Sequence, residues 1–403
     1  ITLAQARQDA VSTAEDARYS TAKALNVLRR LHAAATQMPV PVAAYAPVLP
    51  PTFPVTITPL DDESLTVRYA GCETTVAHEH LVDHLQQVGV AERGEAHQSL
   101  IVDTPSTLGL LGSLARSSSN NSAASVLDWW LQRAEHPGSG ACYVATDTAP
   151  LRWVTGQSPT EERDPITWAT WLQLPQDLSL AHTCEAIVRL TAEPHTLDGL
   201  LECHSADSYA WKYLLKRNPS HRRSTDTRRD AAMGLTTRNH AAEYYTSLRM
   251  ADPLAAQTAL REGHLVHATV QPSSDRKTLH LLTESAVSRF RVGAEVQGWR
   301  GTIEDATSQL SLRSGIISTI NVTTDARLAI TIEDTVHLGN PAPGSPLTLR
   351  PRSTDAHQQG RLRIRYNARL RDQRNWVSRT SAPPTRRRTV PLDVVVAAAA
   401  DQD

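Results

Sequence analysis

Phenylalanine and lysine are nearly missing from this chain: two Phe and four Lys (Lys23, Lys212, Lys216 and Lys277) stand among 403 residues. With so little Phe, large aromatic burial falls to tryptophan. Six of the eight Trp (Trp129, Trp130, Trp153, Trp168, Trp171 and Trp211) lie close together in sequence and are expected to form one core. With so little Lys, the positive charge is almost all arginine, as readily a coding bias as a functional one. The four cysteines (Cys72, Cys142, Cys184 and Cys203) have no CxxC spacing. That excludes a disulfide framework or a structural zinc site and leaves reduced, buried thiols as the expectation.

No run of 18 apolar residues occurs, so no transmembrane helix and no membrane partner are expected. GxxxxGK[ST], GxGxxG and GxSxG are all absent, and Gly138-Ser139-Gly140 reads as a turn. Cys203-His204 and His182-x-Cys184 lack a third group that would make a nucleophilic site. The chain therefore reads as non-enzymatic and without a cofactor. Its first residue is Ile1 rather than Met, which reads as a processed, truncated or renumbered start.

The net charge of −1 hides a strong segregation. From Arg350 to Arg388 twelve Arg face two acids, a net +10; from Lys212 to Arg229 seven bases face one acid, a net +6; the rest carries −17. Such segregation bears on partners, not on fold.

Within the first basic segment, Arg361 to Arg371 reads RLRIRYNARLR. Arg361, Arg363, Arg365, Arg369 and Arg371 share one parity, and Leu362, Ile364, Tyr366, Ala368 and Leu370 the other. A period of two predicts a strand with one buried face. Its guanidinium groups would repeat about every 6.6 Å, a ruler suited to a polyanion with repeating phosphates. Arg374, Arg386, Arg387 and Arg388 add charge nearby. Lys212, Lys216, Arg217, Arg222, Arg223, Arg228 and Arg229 form a second basic surface suited to phosphate contacts without base reading. The competing readings are an edge strand kept from aggregation by charge, and arginines paired with acids on another strand or subunit.

Residues 1–38 read as a long helical arm. Leu3, Ala10, Ala17, Ala24 and Leu31 recur every seven residues, with Ala14, Leu28 and Ala35 interleaved, a heptad-like stripe that a partner helix could approach closely. Residues 39–59 hold seven prolines and read as a stiff linker. Residues 60–211 read as a mixed α/β domain, with strands at 64–69, 99–102 and 142–146 and helices at 75–88, 122–134 and 178–190. Residues 212–263 read as the basic segment plus a helical pair, 264–390 as a β-rich basic domain and 391–403 as a tail. The fold class is thus α+β. His80-Leu81-Val82-Asp83-His84 has the form HxxDH, close to the HxxEH pattern of inverted zinc peptidases, and makes His80 and His84 weak metal-ligand candidates.

The function these features favour is a structural or assembly protein of shell or nucleoprotein type, binding nucleic acid non-specifically, self-associating through residues 1–38, in an intracellular or virion setting. A single-strand-binding accessory factor with a small β-barrel, using Phe290, Trp299, Tyr366 and Trp376, is one alternative. A metal hydrolase at the HxxDH helix is another.

Overall fold

The structure is a computed structural model that describes residues 24–44, 54–90, 98–118, 122–192, 197, 200, 203, 207, 208, 211, 228–273, 275, 277–306, 310–337 and 341–353. The chain groups into two units, residues 1–224 with 238–356, and residues 225–237 with 357–403.

The first unit is α+β. Helix α1 (24–36) is followed by a two-residue strand β1 (Val40–Pro41), which pairs antiparallel with Trp153–Val154. A five-stranded sheet starts at β2 (Val55–Pro59). This strand lies inside the proline-rich stretch read as a linker. Its alternation of Val55 and Ile57 with Thr56 and Thr58 is a strand pattern that the flanking prolines obscure, and all four side chains are buried. β3 (Ser64–Tyr69) and β4 (Cys72–Ala77) form a hairpin with Tyr69 opposite Cys72. The two linking residues, Ala70 and Gly71, have φ of 49° and 84°, the backbone of a tight primed turn.

The expected helix at 75–88 is therefore corrected. Residues 75–77 complete β4, His78–His80 make one 3-10 turn, and only α2 (Leu81–Gln87) is α-helical. The hairpin's cross-strand pairing outweighs the helical pattern there.

The parallel part of the sheet adds β5 (Leu100–Val102), helices α3 (Pro105–Ser117) and α4 (Ser122–Ala134), and β6 (Cys142–Val144). Strand order is β4-β3-β2-β5-β6, with β2, β5 and β6 parallel. A short helix α5 (Ala145–Thr148), β7 (Trp153–Val154), α6 (Pro165–Trp171) and α7 (Leu180–Ala192) follow. Val55, Ile57, Leu65, Leu100 and Val102 pack with α2, α3, α4 and the edge-on pair Trp129–Trp211 (4.8 Å between centroids). On the other face, Ile101 and Tyr143 pack with Trp168, Cys184, Ile187 and Val188. The tryptophans thus serve two sheet-face cores rather than one, Trp129, Trp130 and Trp211 on one face and Trp168 with half-buried Trp153 on the other, and Trp171 is buried as well.

Helix α8 (Arg228–Arg249) begins in the second unit and ends in the first, and α9 (Pro253–Arg261) starts on Asp252, which accepts hydrogen bonds from the N–H groups of Leu254 and Ala255. Asp at the cap with Pro at the first helical position is a strong start signal. The six strands that follow are β8 (Val266–Gln271), β9 (Leu279–Thr283), β10 (Glu295–Arg300), β11 (Leu312–Val322), β12 (Leu328–His337) and β13 (Pro346–Pro351). They close into an antiparallel barrel in the order β10-β11-β12-β9-β8-β13, filled by Val266, Ala268, Leu281, Ile317, Ile330, Ile332 and Leu349. Closure removes the sheet edges that would otherwise template aggregation. No helix among the described residues is long and apolar enough to cross a membrane.

Candidate assembly and nucleic-acid interface

Helix α1 is held to its own unit by one side. Arg30 makes a bidentate pair with Glu162, Nη1 to Oε1 at 2.8 Å and Nη2 to Oε2 at 2.7 Å. Glu162, 6% exposed, also accepts from the Thr155 N–H at 2.9 Å and the Thr155 hydroxyl at 2.8 Å. The carboxylate is fully coordinated, the condition under which a buried ion pair is tolerated. Arg29 Nη1 donates to Thr258 Oγ1 at 3.4 Å on α9. Ala33 is completely buried, and Gly156 lies so close that a Cβ there would sit 2.6 Å from the Ala34 Cα.

The opposite side of α1 carries the heptad stripe and faces solvent. Leu28 is 62% exposed, Leu31 61% and Val27 48%; Ala24 and Ala35 are exposed too. Ala33 lies two residues from both Leu31 and Ala35, about 200° around the helix from each. The anchored face and the stripe are therefore back to back.

Charge is divided between sequence regions as sharply as apolar surface is divided around α1. Residues 60–211 hold 21 acidic and 7 basic residues, a net −14. The α/β sheet region is thus the acidic pole of the chain. Of the proposed phosphate-binding residues, Lys212, Lys216, Arg217, Arg222, Arg223, Arg361, Arg363, Arg365, Arg369, Arg371, Arg374, Arg386, Arg387 and Arg388 lie outside the described residues. Arg228 and Arg229 open helix α8.

Two arginines counted in the C-terminal basic stretch serve the fold instead. Arg350 on β13 is 5% exposed and stands directly opposite Gln297 on β10. Its Nη1 donates to the Ser247 carbonyl at 2.6 Å in the last turn of α8. Gln297, with its amide turned so that Oε1 meets the guanidinium, accepts from Nε at 3.0 Å and Nη2 at 3.1 Å. A cation on the C-terminal carbonyls of a helix is favourable, but burial lowers its pKa to about 10. Arg352 pairs with Glu295 at 2.6 Å.

Besides Glu162, two further buried carboxylates escaped the sequence reading. Asp207, fully buried, pairs with Arg133 and accepts from the Ser139 hydroxyl (3.1 Å) and the Gly140 N–H (2.8 Å). Beside it, burial and then the Arg133 charge push the His136 pKa down to about 4. Asp103, at the carboxyl end of interior strand β5, is 5% exposed, and its Oδ1 has no hydrogen-bond partner. Burial raises its pKa. The only sequence signal for either was an acidic residue in an apolar or Ser/Gly-rich setting. Their partners lie far along the chain or, for Asp103, are neighbouring threonine groups.

The HxxDH residues do not share one helix. His80 ends the 3-10 turn, is mostly exposed and lies 3.5 Å from Glu79, while His84 is on α2. Among the described residues no group of three His, Cys, Asp or Glu is placed to hold a metal ion. The cysteines are free thiols; Cys184 is buried, Cys142 and Cys203 half-buried, and Cys72 exposed, which corrects the expectation that all four are buried. The chain matches no protein-family model and no curated protein.

Proposed function

We propose that this chain is a non-enzymatic assembly subunit of shell or nucleoprotein type that binds nucleic acid by charge. The observation that carries this reading is the separation of charge: an acidic α/β region at net −14 against basic stretches at +6 and, with Arg350 and Arg352 set aside, +8. A polyanion is repelled from the first and attracted to the others, so binding is directional without base recognition. The solvent-facing stripe of α1 supports self-association.

The test is binding of the full chain to a generic single strand and a generic duplex across a salt series. Affinity should fall steeply with salt. Arg363→Ala/Arg365→Ala/Arg369→Ala should flatten the log–log slope by roughly 2, at about 0.7 per phosphate contact on a single strand. An unchanged slope removes the arginine ruler from the interface, and no binding at low salt ends the reading.

The single-strand-binding barrel has one observation in its favour, the closed six-stranded barrel itself. Its proposed stacking residues count against it. Trp299 is 1% exposed, with its indole N–H donated to the Thr302 carbonyl at 2.8 Å, and Phe290 packs on the barrel core. Tyr366 and Trp376 lie outside the described residues.

A further inference from the structure

We infer that the exposed stripe of α1 is a homotypic seam: the Ala24–Leu28–Leu31–Ala35 face of one copy docks on the same face of a second copy. The inference rests on the assembly reading above and supplies its contact.

Three observations select this occupant. First, the face is apolar and open where a lone surface helix would be polar; Val27, Leu28 and Leu31 are 48%, 62% and 61% exposed. Second, the alternating spacing of four and three residues (24, 28, 31, 35) is the pattern of a helix–helix seam. The sequence carries the same seven-residue spacing back through Ala17, Ala14, Ala10 and Leu3. A seam that prolongs the helix's own repeat is matched by another helix of the same repeat, and its alanines permit close approach. Third, the seam within 24–35 bears no charge, and the residues that flank it are Leu25, Val27, His32 and Ala34. An identical copy therefore meets no like-charge repulsion there. The next seam positions toward the N-terminus include Thr21 and Arg7, which limit how far the pairing extends.

The anchoring makes the seam rigid. Arg30–Glu162, Ala33 and the Gly156 contact fix the helix from behind, so its rotation about its own axis is set by the fold and not by the partner. Little ordering remains to be done on association.

The experiment uses the full chain, freed of nucleic acid by nuclease and high salt, and follows mass against concentration by light scattering and sedimentation. Wild type is expected to self-associate. Leu28→Glu/Leu31→Glu, at exposed sites where the fold tolerates charge, is expected to weaken association by about a hundredfold or more. A Leu28→Gln/Leu31→Gln variant separates apolar loss from repulsion and should weaken it less. Circular dichroism and the unfolding midpoint should stay at wild-type values. A monomeric wild type overturns the seam, as does a glutamate variant that keeps the wild-type mass. Self-association gained only on deleting 391–403 also overturns it, because the face is then covered by the chain's own tail. Salt-dependent nucleic-acid binding is measured on the same samples: its loss with association intact rejects the charge reading and leaves the seam standing.

Discussion

The Arg30 guanidinium and the Glu162 carboxylate meet end-on across 132 residues of sequence, Nη1 donating to Oε1 and Nη2 to Oε2. This pair orients α1. It also turns a helix with one fully buried side chain, Ala33 among the described residues, into part of the fold.

Removing one partner should therefore cost more than removing both. Arg30→Ala leaves the Glu162 charge buried with only Thr155 for company. We expect a loss of about 3 kcal/mol in urea unfolding. Arg30→Met/Glu162→Gln should recover part of it. Hydrogen exchange should show residues 24–36 losing protection in the single variant.

The Gly156 contact makes a steric prediction. A Cβ at this position would lie 2.6 Å from the Ala34 Cα and 2.8 Å from its N. Both are backbone, which does not move aside cheaply. Gly156→Ala should raise exchange of α1 amides and lower stability by about 1–3 kcal/mol, with the barrel unaffected.

Arg350 and Gln297 give a double-mutant test at the other end of the unit. Gln297→Leu strips two acceptor contacts from a buried cation and should destabilise by about 2–3 kcal/mol. Arg350→Met/Gln297→Leu should be markedly more stable than Gln297→Leu, since the double variant buries no charge. The urea midpoint reads the difference.

Asp207→Ala should be among the most damaging single changes in the sheet region. It abandons the half-buried Arg133 guanidinium, the Ser139 hydroxyl and the Gly140 N–H together. A loss of about 3–5 kcal/mol is expected, seen as a lower thermal midpoint.

His136 predicts an acid limb to stability. Its pKa falls from 6.5 to about 4 on folding, so the unfolded chain binds the proton more readily. Stability from this group is complete above pH 6.5 and is lost as pH falls toward 4, by up to ~3 kcal/mol. His136→Gln cannot take up a proton. Wild type should lose stability relative to it across that window, and a constant difference would show that the histidine is not burial-shifted.

The parts of the fold with purely local signals were legible. Ser64–Tyr69 and Ser122–Ala134 match the expected strand and helix in both bounds, because alternation and a Ser-started apolar helix need no partner to declare themselves. The β-rich region expected from 264 onward holds the six barrel strands, and residues 354–390 of it lie outside the described residues. The failures are places where a tertiary partner decides. β2 sits among prolines and is fixed by β3 and β5. β4 depends on the Ala70-Gly71 turn, and α3, for which no element was expected, carries Gly109 and Gly112 within its 13 residues, which weaken a helical pattern. The barrel was read only within one alternative, because its closure needs β13 to pair with both β8 and β10, far back along the chain. At the interface, the α1 stripe was legible and its outward facing was not: that depends on Glu162 and Gly156, more than a hundred residues away.

The uneven aromatic content leaves the chain with a built-in optical label. Trp299 is the one tryptophan among the described residues of the barrel, sealed against Met250, Ala256 and Leu265, while the sheet region holds six others and Trp376 lies outside the described residues. Replacing Trp299 with Phe would darken the barrel alone, and the emission it removes would track the α9–barrel contact through any assembly step without an added dye.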